Sequence, residues 1–559
     1  MTADGRLGLA FGADRPLGME VTAARAAQTV EAIEERFAPR FVMWNQATAA
    51  TLLHHGIPLA RSWDIAATFR LLHGSWQADE PLVWAHAHGL DLAGIPRATE
   101  PDLFNQLDPE LEASSAVDGD GYLRPTWAAG AWQQHAGGPA LWAQSALDLA
   151  RRQRQQTTAL PDPTRARATI RSESSVELLC AELSTYGLPI SIDRAHELLT
   201  GFIGPPPSDE AEELRRRAER DGRVLDALDP ALRGEGIDLR SPGQVKTLLR
   251  RAGFEVPDTR SWTLKAIRDE HPLIEALLWW RKTERLETTY GYRWLAANVS
   301  DGRLRGQWTG CDGAAGRMTA SAGLHSLPAE LRDAVRAEPG HVFVRADLGQ
   351  IEPRVLAAIS GDPALQAACA DPDLYTPVAT ALGVERDIAK VAVLGAMYGQ
   401  TTGKGAEALW RLKAAYPIAM AYLETAADTA AGGRDLRTFG GRLIRLSAAN
   451  ANEHSEAALR SQSAARGRFG RNAMVQGAAA EFFKIWALMV RAQLKPLGAQ
   501  IVLCLHDELL CHVPVEHAAA AAALVDAQLV AAGARWFAGT GVRFVADTSI
   551  IASWADAKG

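Results

Sequence analysis

From Ile501 to Val513 the chain reads IVLCLHDELLCHV, two apolar runs joined by a short polar turn. Such runs belong to two half-buried antiparallel strands. The turn has no Gly, Asn or Pro and carries His506, Asp507 and Glu508 instead. Two adjacent carboxylates are a poor choice for a hairpin, which favours Asn-Gly or Asp-Gly. A cation at the turn accounts for them, and so, for this segment alone, does a solvated acidic turn.

A second acid stands in a similar place. The apolar strand HVFVRAD ends at Asp347, just before the helical pattern GQIEPRVLAAISG. A carboxylate there is often only a helix cap. Two strand-end acids can instead meet across a sheet and hold two divalent cations, the arrangement phosphoryl transfer needs. One cation lowers the pKa of the attacking hydroxyl and the other stabilises the leaving pyrophosphate. Oxygen-only ligands suit magnesium or manganese.

In RDIAKVAVLGAMYG, the residues Arg386, Lys390, Leu394 and Tyr398 recur every fourth position and share one helical face. Two cations one turn apart repel by about a few tenths of a kcal/mol. An anion lying against them, such as a nucleotide triphosphate, turns repulsion into attraction. A basic solvated face is the plain alternative, and the apolar Ile388, Ala389, Val391 and Val393 around the cations argue against it.

At 559 residues the chain exceeds one compact core and suggests three or four domains. No apolar run approaches the ~20 residues of a membrane span, and the N-terminus lacks a signal-peptide layout, so a cytoplasmic protein without a membrane partner is expected. Five scattered cysteines without C-x-x-C pairs argue against a disulfide framework and a structural zinc site. A net charge of −7 does not by itself support nucleic-acid binding, nor does it exclude local basic grooves. The polar run RRQRQQTTALPDPTRARA predicts a linker near residue 165, and residues 168 to 300 a mostly helical region. Ser241-Pro242 predicts an N-cap followed by a first-turn proline. VRFVADTSI predicts a final strand.

In this order and spacing, ADLGQIEPR, the Arg386 to Gly399 series and LHDE resemble motifs A, B and C of the family A DNA polymerases, the group of the bacterial repair polymerase and its phage relatives. GRMTASAGLHSLP, SPGQVKTLLRRAG and the ending SWADAKG extend the likeness over roughly residues 168 to 559. The resemblance implies an α/β multidomain chain with a right-hand polymerase fold, preceded by an RNase H-like exonuclease-type domain. It implies a degenerate 3′–5′ exonuclease-like domain at 1–165, a thumb at 166–310, palm at 311–380 and 489–559, and fingers at 381–488. Nothing resembles a preceding 5′ nuclease domain.

The implied activity is a DNA-directed DNA polymerase, a nucleotidyltransferase. Its implied partners are primer–template DNA and deoxynucleoside triphosphates, bound by a monomer with two Mg2+ ions for which Mn2+ substitutes. Asp347 and Asp507 would bind the metals, with Glu508 beside them. Arg386 and Lys390 would hold the triphosphate, Lys390 as part of the catalytic set. Gln350, Glu352, Leu394 and Tyr398 would surround the nucleotide, Glu352 excluding a ribose 2′-hydroxyl. Arg317, Arg468, Asn472, Gln476 and His506 would contact the duplex and primer end.

Departures from the family pattern are Leu394 in place of an aromatic, Leu348-Gly349 in place of Tyr-Ser, Pro353 in place of Leu, and Tyr375 in place of His. In the N-terminal region Asn45 and Asp64 stand at familiar exonuclease positions. The D-x-E is absent, however, Ala49 and Ala146 replace acids, Trp142 replaces Tyr, and only Asp148 follows. The domain, beginning at its second strand LGLAF, is therefore expected to be inactive. The alternatives are a catalytically silent DNA-binding relic, or a polymerase with residual 3′–5′ exonuclease.

Overall fold

The computed structural model describes residues 1–12, 17–97, 115–232, 236–399, 406–446 and 456–557. The chain divides into two compact units. The first comprises Met1–Leu188, Gln307–Ser321 and Ala337–Ala552.

Its N-terminal part holds an antiparallel hairpin, β1 (Leu7–Phe11) with β2 (Leu17–Val21), followed by helix α1 (Ala23–Phe37). Strand β3 (Phe41–Met43) pairs in parallel with β4 (Ser62–Asp64). Parallel strands need a crossover, which α2 (Gln46–His54) supplies, and α3 (Ile65–His73) follows β4. Helix α4 (Glu80–His88) and the long helices α5 (Gly138–Thr157) and α6 (Pro163–Tyr186) complete this part around a tryptophan-rich core.

The expected linker is not one. Helix α5 runs to Thr157 and α6 starts at Pro163, capped by Asp162 through Arg165 N at 2.9 Å. Gln153 is buried, accepting from Trp63 Nε1 at 2.9 Å and donating to the Ile65 carbonyl at 2.8 Å. A polar run reads as exposed in one dimension, but hydrogen bonds let its glutamine sit inside. Much of α6 is buried in the first unit, so the division between units falls after Leu188 rather than at residue 165.

After the short hairpin β5 (Trp308–Asp312) and β6 (Arg317–Ala320) comes a four-stranded antiparallel sheet. It is built from β7 (His341–Leu348), β8 (Gln500–Leu505), β9 (Glu508–Pro514) and β10 (Ala546–Ile551), in the order β8-β9-β7-β10. The register sets Asp347 opposite Glu508 on one side and Asp547 on the other. The last strand begins at Ala546, not in VRFV as its β-rich composition suggests. Phe544 instead stacks among Phe482 and Phe537, at 4.2 and 5.2 Å between ring centres, and the Arg543 carbonyl accepts from Arg354 Nη1 at 2.6 Å.

Against this sheet and beyond it stand α7 (Ile351–Ser360), α8 (Tyr375–Leu382), α9 (Arg386–Tyr398), α10 (Glu456–Leu494) and α11 (Ala518–Trp536). Helix α10 has 39 residues, about 58 Å at 1.5 Å per residue. The segments Ala458–Leu497 and Val515–Trp536 are long and apolar enough to cross a membrane, but 72% of the first segment's most apolar stretch is packed inside the protein. Glu173 on α6 ties to α10 by accepting from Lys484 Nζ at 2.8 and 2.9 Å, and it also pairs with Arg442 at 2.7 Å. Burial alone would raise the Glu173 pKa, yet the two cations pull it below its ordinary value.

The second unit, Pro189–Gly306 with Ala322–Arg336 and Ser553–Gly559, is mainly helical. Its helices Glu210–Asp226, Pro242–Arg251 and Pro272–Tyr290 bury Val245, Leu248, Leu249, Leu273, Ile274 and Leu277. Ser241 occupies the N-cap position before Pro242, but its side chain makes no capping bond.

Candidate active site

At one end of the four-stranded sheet three carboxylates converge. Asp347 is the last residue but one of β7, opposite Glu508, and the Asp507 carbonyl accepts from Leu348 N at 3.0 Å. The His506-Asp507 turn is tight because His506 adopts a left-handed conformation, φ 56°, which costs a non-glycine residue roughly 1 kcal/mol. Asp347 caps no helix, because the residue at the start of α7 is Gln350, itself left-handed at φ 55°. Burial, then repulsion by Asp507, pushes the Asp347 pKa up to about 6 against the pull of Arg345. Asp507 is also raised, chiefly by burial, with Glu508 and Glu352 adding to it. A divalent cation would relieve the mutual repulsion, and the oxygen-only donor set suits magnesium or manganese.

Sequence reasoning missed Arg345. It lies two residues before Asp347, on the same face of β7, and it is buried. Its Nε donates to Glu508 Oε1 at 2.7 Å, its Nη2 to Asp347 Oδ2 at 2.5 Å, and its Nη1 to Asp547 Oδ2 at 3.4 Å. The signal was present as a lone basic residue inside an apolar strand.

Beside the carboxylates lies a cavity of about 260 Å3 that collects Arg317, Gln350, Glu352, Leu394, Tyr398, Gln476, His506 and Asp507. Glu352 is gripped from two sides, by Arg317 Nη2 at 3.1 Å and the Tyr398 hydroxyl at 2.9 Å. Gln350 also works structurally, donating to Asp373 Oδ1 at 2.6 Å and accepting from Leu374 N at 2.9 Å. Tyr375 and Leu394 give the cavity apolar wall, and burial pushes the Tyr375 phenol up to about 12. Burial, then Arg317, lowers the His506 pKa.

The cations of α9 do not line this cavity. Arg386 is held by Asp373, Nε to Oδ2 at 2.6 Å and Nη2 to Oδ1 at 3.1 Å, which draws the Asp373 pKa down to about 2. Lys390 is exposed one turn further on. Its surroundings are less apolar than the sequence suggests: Ala389 and Val393 are buried, but Ile388 is 43% and Val391 58% exposed. A helix that packs one face leaves the apolar residues of its other faces in solvent. On α10, Arg468 is exposed beside Gly399, Gln476 lies in the cavity, and Asn472 Oδ1 is buried without a hydrogen-bond partner.

Residues 208–556 match the model of DNA polymerase family A. The chain belongs to DNA polymerase family A. It is 30% identical over 353 residues to the thermostable DNA polymerase I of Thermus filiformis, covering 56% of this chain and 41% of that protein. It is 28% identical over 334 residues to DNA polymerase I of Deinococcus radiodurans, covering 52% and 34% respectively. The family A chain thus spans less than half the length of these relatives. Its fold is similar to the POL domain of Pol1 from M. smegmatis, solved in complex with DNA primer-template and dNTP. That likeness has a TM-score of 0.67 and 20% identity, and covers 98% of this chain and 95% of that one. The right-hand polymerase fold expected from the sequence is thereby established.

The N-terminal part of this family A chain has a different chemistry. Asn45 caps α2 and donates to Glu80 Oε1 at 2.7 Å. Asp64 is a helix cap, accepting from Ala67 N at 2.8 Å, and burial with Glu177 nearby raises its pKa well above the ordinary range. Asp148 pairs with Arg152 at 2.9 Å and His88 at 3.3 Å. Ala49 and Ala146 are buried, and Trp142 stacks on Trp44 at 4.1 Å. The resulting cavity of about 310 Å3 is walled by Trp44, Trp132 and Trp142, and among the described residues Glu80 is the sole carboxylate lining it.

Proposed function

We propose that this chain is a template-directed DNA polymerase that adds deoxynucleotides to a primer 3′ end, with an inactive exonuclease-like domain. The observation that carries this reading is the meeting of Asp347 and Asp507 at one sheet end, beside a cavity walled by Glu352 and Tyr398. Asp347 and Asp507 would hold two magnesium ions, or manganese in their place, supported by Glu508. When bound, such ions lower the pKa of the primer hydroxyl and neutralise charge on the leaving pyrophosphate.

The chain's own residues position the reactants. Glu352, fixed by Arg317 and Tyr398, closes the space a ribose 2′-hydroxyl would need. Arg386 and Lys390 grip the triphosphate, Arg386 exchanging Asp373 for phosphate. Leu394 and Tyr398 face the incoming nucleotide, and Gln350 anchors the turn beneath it. Arg317, Arg468, Asn472, Gln476 and His506 line the path of the duplex. The protein acts as a monomer, and its five buried free thiols fit a reducing compartment such as the bacterial cytoplasm.

In the N-terminal part the candidate acids Asp64 and Asp148 are spent on a cap and ion pairs, which supports the reading that this domain has no nuclease activity. Extension of a 5′-labelled primer with Mg2+, comparing wild type with Asp507→Ala, tests both statements. Lengthening lost in the variant, without shortening in either protein, is the expected result. Shortening without lengthening would overturn it.

A further inference from the structure

Arg345 is an unusual neighbour for a metal site. It sits in the central strand β7, paired on one side with Leu510 and on the other with Ser549, so two hydrogen-bond ladders fix its backbone. Its side chain is 5% exposed, and its guanidinium spans three carboxylates. Of these, Asp347 is a proposed metal ligand, Glu508 is its buried neighbour across the ladder, and Asp547 is 82% exposed on the edge strand. An apolar or small residue would satisfy the strand pattern equally well, and burying a guanidinium is costly unless it is paired.

Two consequences follow from the charge and the geometry. With no ion bound, the guanidinium neutralises carboxylates that otherwise repel one another, and it holds the Asp347 side chain by one oxygen. With an ion bound, a fixed positive charge remains in contact with a ligand of that ion. Opposite charges strengthen a buried site and like charges weaken it, more steeply than in water.

We infer that Arg345 is a positioning residue for the metal-binding carboxylates: it holds Asp347 and Glu508 in register and sets a lower affinity for divalent cations than the bare carboxylates would have. This inference rests on the proposed metal site at Asp347 and Asp507. The ligand class is a divalent cation with oxygen ligands, and the effect of Arg345 is to make its binding depend more on the substrate's phosphates, which bring their own negative charge.

The test is Mn2+ binding to the full chain without DNA or nucleotide, followed by electron paramagnetic resonance of the free ion. Arg345→Met removes the charge at similar length, and Arg345→Gln keeps a donor for Glu508 should the methionine variant not fold. Arg345→Lys restores the charge. The neutral variants are expected to bind Mn2+ about five- to tenfold more tightly, with the lysine variant within about twofold of wild type. The Mg2+ concentration for half-maximal primer extension should fall in parallel, while kcat drops because Asp347 is less firmly held. Asp507→Ala serves as the reference. Should it leave Mn2+ binding intact, the metal site itself is wrongly placed. Should it abolish binding while folded Arg345→Gln binds no more tightly than wild type, the role of Arg345 is overturned and the metal site stands.

Discussion

The sheet-end carboxylates and the N-terminal tryptophan cavity begin from similar local patterns. Each has an acid in the last residues of a strand, a few residues or fewer before a helix: Asp347 in β7 and Asp64 in β4. Asp64 is consumed by its helix, accepting from Ala67 N inside the core. Asp347 is left over, because Gln350 occupies the start of α7, and it meets two further carboxylates in the ladder. A strand-end acid becomes chemically available when no helix N-terminus claims it and other acids share its space. The same contrast appears in the walls. Around Asp507 they mix apolar side chains with the ionisable Arg317, Glu352, Tyr398 and His506, whereas around Asn45 indole rings occupy the space and Ala49 and Ala146 stand buried nearby.

The largest test of the contrast is at the acids themselves. Asp347→Ala should reduce primer extension on the order of a thousandfold or more while changing duplex affinity less than about threefold, because the role proposed for it belongs to the transition state. Asp148→Ala should leave extension unchanged. Equal loss of extension in gel assays of the two variants would erase the distinction drawn between the regions.

Trp142→Ala should lower stability by about 3 kcal/mol, read as a shift in the denaturant midpoint, since it removes a stacked indole from the N-terminal core. The Mg2+ dependence of extension should not move with it.

Proton competition sharpens the comparison further. The proposed metal binding needs Asp347 as the anion, and its pKa is raised to about 6, so Mg2+ affinity should weaken as pH falls through about 6. The sign for stability is opposite to that of an acid whose pKa is lowered in the fold, because burial and Asp507 outweigh the Arg345 ion pair. The metal-free protein bears the penalty of the ionised group above about 6, is progressively relieved of it as pH falls towards the unfolded value near ~4, and is relieved by Mg2+ at neutral pH. Thermal melts with and without Mg2+ at pH 5 and 7.5 measure this, and a Mg2+ effect as large at pH 5 as at pH 7.5 would contradict it.

Smaller effects are expected at the cavity wall. Glu352→Ala should relax discrimination against ribonucleotides on the order of tenfold to a hundredfold, measured as the ratio of kcat/KM values. Asp373→Asn should release Arg386 and lower the KM for deoxynucleotides roughly twofold to threefold, since an exposed pair is weak. An increase in KM would mean that Asp373 holds Arg386 ready for the nucleotide instead of competing with it.

Patterns of short range were legible in the sequence itself. The apolar hairpin around His506 and Asp507, the strand that carries Asp347, and the four-residue spacing of Arg386, Lys390, Leu394 and Tyr398 are all properties of neighbouring residues, where backbone periodicity dictates the outcome, whereas the loss of acids at Ala49 and Ala146 was legible only through the family resemblance. Contacts between residues far apart in the chain were decided only by tertiary structure. Arg345 looked like an interruption of an apolar strand until register brought Glu508 and Asp547 to either side of it. Arg386 looked free until α8 and its preceding turn delivered Asp373. Gln153 looked like part of a linker until Trp63 and Ile65 gave it buried hydrogen-bond partners. A charged or polar side chain states what it requires but not who supplies it, because the partner is chosen by strand register and helix packing across hundreds of residues.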